Sequence, residues 1–166
     1  MKGIFIILTI ICIILPVIVY GCAIFKAISM EAECINYLEM AADANSVDLA
    51  NKHLSTAIEY LEKHGLTSGN TKIFIYRPTN DIGFWYENLK SAQTQLSELS
   101  QKEGLTELEE SNALMKLRET LLDEGAVTHP ELISFYPSHV GWFWAMWLIW
   151  LLWGLALMFG FIALEY

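Results

Sequence analysis

Any chemistry in this chain would have to come from its four histidines, an acidic run, or scattered serines and aspartates. His53, His64, His129 and His139 show no HExxH pattern and no Cys/His spacing of the kind that holds zinc. His64 falls near the end of an expected helix, where the dipole accounts for it, and His139 falls at an expected membrane interface. Glu103, Glu107, Glu109 and Glu110 could attract a divalent ion, but they lack the order of a calcium loop and read as a solvated helix face. Serine, histidine and aspartate occur without a nucleophile elbow, and no glycine-rich phosphate loop is present. The expectation is a protein without catalytic residues, metal or cofactor.

The residues best suited to binding are aromatic. Phe74, Tyr76 and Arg77 precede Pro78, and Phe84, Trp85 and Tyr86 follow one another at the start of a helical pattern. Three consecutive aromatic side chains cannot all enter one helix seam, so some cover the preceding loop or form a partner or ligand surface.

Charge divides the 166 residues into two regimes. The net charge is −9, and almost every charge lies between Lys26 and Glu131, with only Lys2 and Glu165 outside. The middle of the chain is thus a strongly acidic soluble domain. Nucleic acid is excluded as a partner, and an anionic lipid surface is disfavoured, because both reward Lys and Arg. Of the three cysteines, Cys12 and Cys22 lie in the first apolar segment and Cys34 stands alone, so no disulfide framework is present.

The uncharged stretch from Gly3 to Phe25 amounts to about 34 Å of helix against a hydrocarbon core of about 30 Å. It is too long for the apolar part of a signal peptide, and apolar residues continue past Cys22. A second uncharged segment covers residues 140–164 and carries Trp142, Trp144, Trp147, Trp150 and Trp153. Four of these repeat every three residues and spiral around about half the helix, so one ligand cannot face them all. They read as interfacial anchors and lipid or helix contacts. Lys26, Tyr136, Trp142, Trp144 and Tyr166 are the expected interface anchors.

Small residues, in contrast, gather on one side. Gly141, Ala145, Ala156, Gly160 and Ala163 project within about 80° of one another, and Thr9, Cys12, Pro16, Ala23 and Ala27 within about 60°. Such stripes let helices approach closely in lipid, where no hydrophobic effect draws them together. The two faces are expected to meet, within one chain or between chains. Neither span carries a buried ionisable residue, which argues against a pump, ion pore or haem protein. Basic residues are missing from both junctions of the soluble domain, which favours both termini in the cytoplasm and the domain outside.

The elements that position the aromatic residues are helical. Val47, Ala50, Leu54, Ala57 and Leu61 mark one seam, with a break expected near Asn45 and Ser46 and a stop at Gly65. Ile82, Trp85, Leu89, Ala92, Leu96 and Leu99 mark a second, and Leu114, Leu117 and Leu121 a third, opened by a Thr106–Glu109 capping box and closed by Gly125. The expected fold is an all-α membrane protein. Its transmembrane helices, 3–27 and 140–164, flank a small antiparallel helical bundle, 28–138. That bundle has helices about 28–64, 81–102 and 106–124 and one extended segment about 71–77. The layout resembles the helical extracytoplasmic sensor modules of chemoreceptors, which also sit between two spans, and implies a sensing role without an output domain. The residues themselves favour a non-enzymatic accessory, scaffold or assembly subunit. Its expected site is a bacterial plasma membrane, and its partners are membrane lipid and another membrane protein or further copies of itself.

Overall fold

The computed structural model describes residues 2–165. Tyr166 and the side chain of Ala163, both given roles above, lie outside the described residues. The chain divides into two compact units, Met1–Ala27 with Ser138–Tyr166, and Ile28–Pro137.

The first unit is built from two apolar helices. Helix α1, Lys2–Met30, continues through a π-helical turn, Glu31–Ile35, into α2, Asn36–Ala42. Helix α6 spans His139–Glu165. Both helical runs are long and apolar enough to cross a membrane. The core helix of a soluble protein would be mostly covered, whereas only 11% of the most apolar window of each is buried. The two run antiparallel, since Phe5 meets Phe159 near one end and Lys26 lies over Trp142 near the other.

The second unit is mostly helical. Helix α3, Val47–Lys63, begins where Ser46 accepts a hydrogen bond from the Leu49 amide. It ends at Lys63, and beyond the His64 cap Gly65, with φ of +68°, allows Leu66 N–H to reach back to the Leu61 carbonyl. Helix α4, Ile82–Ser100, is capped by Asp81, and α5, Glu107–Leu121, by a complete capping box of Thr106 and Glu109. Leu54, Ile58 and Leu61 of α3, Leu89 and Leu96 of α4, Leu38 of α2 and Leu121 of α5 form the core.

Polar pairs fix the antiparallel register of α3 on α4. Asn51 pairs with Ser97 at 3.2 Å, Ser55 with Gln93 at 2.9 Å, and Glu62 with Tyr86 at 2.7 Å. As one number rises along α3, the other falls along α4. Helix α5 adds a second cap to α3, because the Glu110 carboxylate accepts from Val47 N–H at 3.0 Å.

Two details differ from the sequence reading. The extended segment 71–77 is a loop whose Phe74, Ile75 and Tyr76 side chains are exposed. Its backbone is occupied by turns and by the Asn70 side chain, which accepts from Lys72 N–H and donates to the Arg77 carbonyl, and ladder pairing is limited to one bridge between Asn70 and Asp81. Gly125 does not close the third helix, which ends at Leu121. Glu124 and Gly125 have φ of 50° and 86° and turn a small hairpin, β1, Leu122–Asp123, against β2, Ala126–Val127.

Candidate functional site

Among the described residues, three exposed surfaces are candidates for a site. The first lies in the apolar unit. Cys12, Pro16 and Ala23 are buried along α1, and Ile149 and Ala156 along α6. Thr9, Ala145 and Gly160 are half-buried, while Ala27 and Gly141 are exposed. The space beside Gly160 is open, with nothing within 4 Å of where a Cβ would stand. Midway along the pair a cleft of about 600 Å³ is lined by Pro16, Tyr20, Gly21, Ile149, Trp150 and Trp153. Proline in a helix removes one backbone hydrogen bond and crowds the preceding turn, so the buried Pro16 is a suitable place for two helices to part. Trp144, Trp147, Trp150 and Trp153 are all exposed around α6. Lys26 lies 5.7 Å from the Trp142 ring centroid, a cation–π distance that joins two of the expected anchors.

The second place is a groove of about 500 Å³ in the helical unit, between the start of α4 and the segment after β2. Phe84, Trp85 and Leu89 form one wall, and Val127, Thr128, His129 and Pro130 the other. The Trp85 indole N–H donates to the Thr128 carbonyl at 2.8 Å, which pins the two walls together. The consecutive aromatics therefore separate. Phe84 and Trp85 line this groove, while Tyr86 turns to α3 and donates to Glu62. That contact, after desolvation, pushes the Tyr86 hydroxyl up to about 12. Tyr86 and Lys90 together hold Glu62 below the usual carboxylate range. Tyr76 donates to Asp81, which lines the groove, but Tyr76 is not itself part of the lining. The residues singled out in sequence are thus spread over several surfaces. His129 and Thr128 of the groove carried no sequence signal, because the hairpin that brings them to Trp85 is only two residues per strand.

The third place is the loop before α4. Phe74 is 75% exposed, Ile75 71% and Tyr76 64%, and Arg77 is exposed beside them. Its base is ordered. Thr71 and Asn80 are buried, and Ile82 N–H donates to the Gly69 carbonyl at 2.8 Å. The hydrogen bond from Tyr76, and that from the Phe84 amide, hold the Asp81 carboxyl below its ordinary range. Lys72 forms an ion pair with Glu131 and lowers that carboxyl in the same way.

Among the described residues no three His, Cys, Asp or Glu side chains stand close enough to share a metal ion. His53 stacks near Tyr37, the His64 Nδ1 sits 2.8 Å from the Tyr60 carbonyl, and the His129 Nδ1 sits 3.1 Å from the Pro130 carbonyl. Compared with protein-family models, with curated proteins and with solved structures, the chain matches none.

Proposed function

We propose that this chain is a non-enzymatic integral membrane subunit, an accessory or assembly protein that joins a larger membrane complex or a homo-oligomer through its spans and its helical domain. The observation that carries the reading is the open apolar cleft between α1 and α6, lined by Gly21 and rimmed by Trp150 and Trp153, in a pair of helices that leave most of their surface uncovered. A third helix gains dense van der Waals contact there, which is the main source of helix association in lipid. The basic-residue pattern favours both termini in the cytoplasm, with the domain outside. A photo-crosslinking residue in place of Ile24, which lines the cleft, tests this in native membranes. The expected product is a discrete heavier protein species. Adducts to lipid alone would contradict the proposal.

A second reading is an extracytoplasmic ligand-binding module, and the groove between Phe84–Trp85 and Thr128–Pro130 favours it. Trp85→Ala would also break the bond to Thr128, so filling the groove with Asn88→Trp is the cleaner probe. A small apolar molecule that raises the thermal midpoint of the native chain, and not of the filled variant, would support this reading.

A further inference from the structure

Trp150 and Trp153 stand near the middle of α6, about 16 and 21 Å along the axis from His139 in a helix about 40 Å long. Tryptophan in a span is ordinarily an interfacial residue, because its indole N–H then reaches water or a headgroup. At mid-span neither is within reach, and an unpaired donor in hydrocarbon is costly. The two rings are 76% and 56% exposed, and among the described residues neither indole N–H has an acceptor. Tyr20, on the α1 side of the same cleft, is 55% exposed with its hydroxyl unpaired among those residues. Thr9, the other hydroxyl of the spans, already donates to the Phe5 carbonyl at 2.9 Å.

The cleft of about 600 Å³ thus combines an apolar lining with three polar groups that lack partners. Interhelical hydrogen bonds add to packing in holding helices together in lipid. The chain carries both halves of such a bond, an indole donor on α6 and a phenol oxygen that accepts on α1. Within one copy the two are not joined.

We propose that the cleft is filled by a second copy of this chain, related by a two-fold axis along the membrane normal. Trp150 of each copy enters the cleft of the other and donates to the other's Tyr20 hydroxyl. The inference rests on the membrane-subunit reading above and names its partner. An axis along the normal leaves every residue at its own depth, so groups lining one cleft stand level with those lining the other. Each contact is then made twice, and the assembly closes at two copies. No charged side chain lies in residues 3–25 or 140–164, so the contact buries no unpaired charge. The net charge of −9 makes two copies repel, but salt screens exposed charges beyond about 8 Å at physiological strength. The dimer should therefore tighten as salt rises.

Two full-length copies with different epitope tags, expressed together in native membranes, give the test. One carries a photo-crosslinking residue at Val17, which lines the cleft. The expected product has twice the chain mass, bears both tags, and is joined to α6 of the other copy close to Trp150. The strength of the pairing is read separately, by energy transfer between donor- and acceptor-labelled full chains in phosphatidylcholine vesicles as lipid is added. Tyr20→Phe removes two hydrogen bonds per dimer and little volume, and should weaken the pairing roughly five- to tenfold. An unchanged pairing in Tyr20→Phe would overturn the proposed contact. Heavier protein products of which none bears both tags would overturn the second copy as occupant and leave the subunit reading intact. Adducts to lipid alone would remove the subunit reading, and this inference with it.

Discussion

At Gly69 the loop backbone lies against Tyr136, and two constraints coincide there. Its φ of +107° disfavours any side chain, and Tyr136 occupies the space a Cβ would need. Gly69→Ala should therefore destabilise the chain by about 1–3 kcal/mol in chemical denaturation, whereas alanine at exposed Gly3 should be close to neutral. Glu109 offers a test in pH. The Lys102 ammonium, then the Thr106 amide and hydroxyl, lower its carboxyl from 4.5 to about 2. A depressed folded-state value contributes stability that is complete above the unfolded value and is lost as pH falls through the folded one. The loss should thus appear between pH 4.5 and about 2, and the thermal midpoint of Glu109→Gln should fall less steeply across that window than that of the native chain. Cys34, placed among core residues at 0% exposure, should resist thiol reagents until the domain unfolds. The residue scale is also where sequence was least informative. That Tyr86 turns to Glu62 while Trp85 turns to Thr128 depends on contacts 24 and 43 positions away, which periodicity does not encode.

At the scale of elements, caps join the helices as well as ending them. Glu110 of α5 accepts from the Val47 amide at the start of α3, so Glu110→Ala should cost about 0.5–2 kcal/mol, and alanine at exposed Glu103 almost nothing. Leu96 is 3% exposed in the α4 seam, and Leu96→Ala should cost about 2–5 kcal/mol by the same measurement. The helices were legible because their signals are local. The seam Val47, Ala50, Leu54, Ala57 and Leu61 is buried throughout, and Ser46, Asp81 and Thr106 act as caps by residue type alone. The hairpin at Leu122–Val127 was not, since two residues per strand give no alternation to detect. Ile73 to Tyr76 read as a short strand or an extended loop, and the Asn70 and Asp81 side chains, by taking up neighbouring backbone and hydroxyl groups, close a loop whose Phe74 and Tyr76 rings are exposed. The π turn at Glu31–Ile35 also left no composition signal, although it resets the helix phase between Met30 and Leu38, both buried.

For the whole molecule, the two apolar helices were the plainest feature of the sequence, because spanning length and absence of charge can be read without knowing any contact. Their mutual packing was harder to read. The small-residue stripes place Gly160 on the contact side, yet the structure leaves open space beside it. Gly160→Ile therefore has room within this helix pair, and any loss of assembly it causes would report a contact with something beyond the pair. The proposed role, a subunit of a membrane assembly, has a direct readout in mass. The particle mass after extraction in mild detergent, measured by light scattering with the detergent contribution subtracted, tests it most directly. A stoichiometric complex is expected, with further copies or with another membrane protein, and it should be weakened by Gly21→Trp in the cleft. A single chain of unchanged mass in both proteins would contradict it.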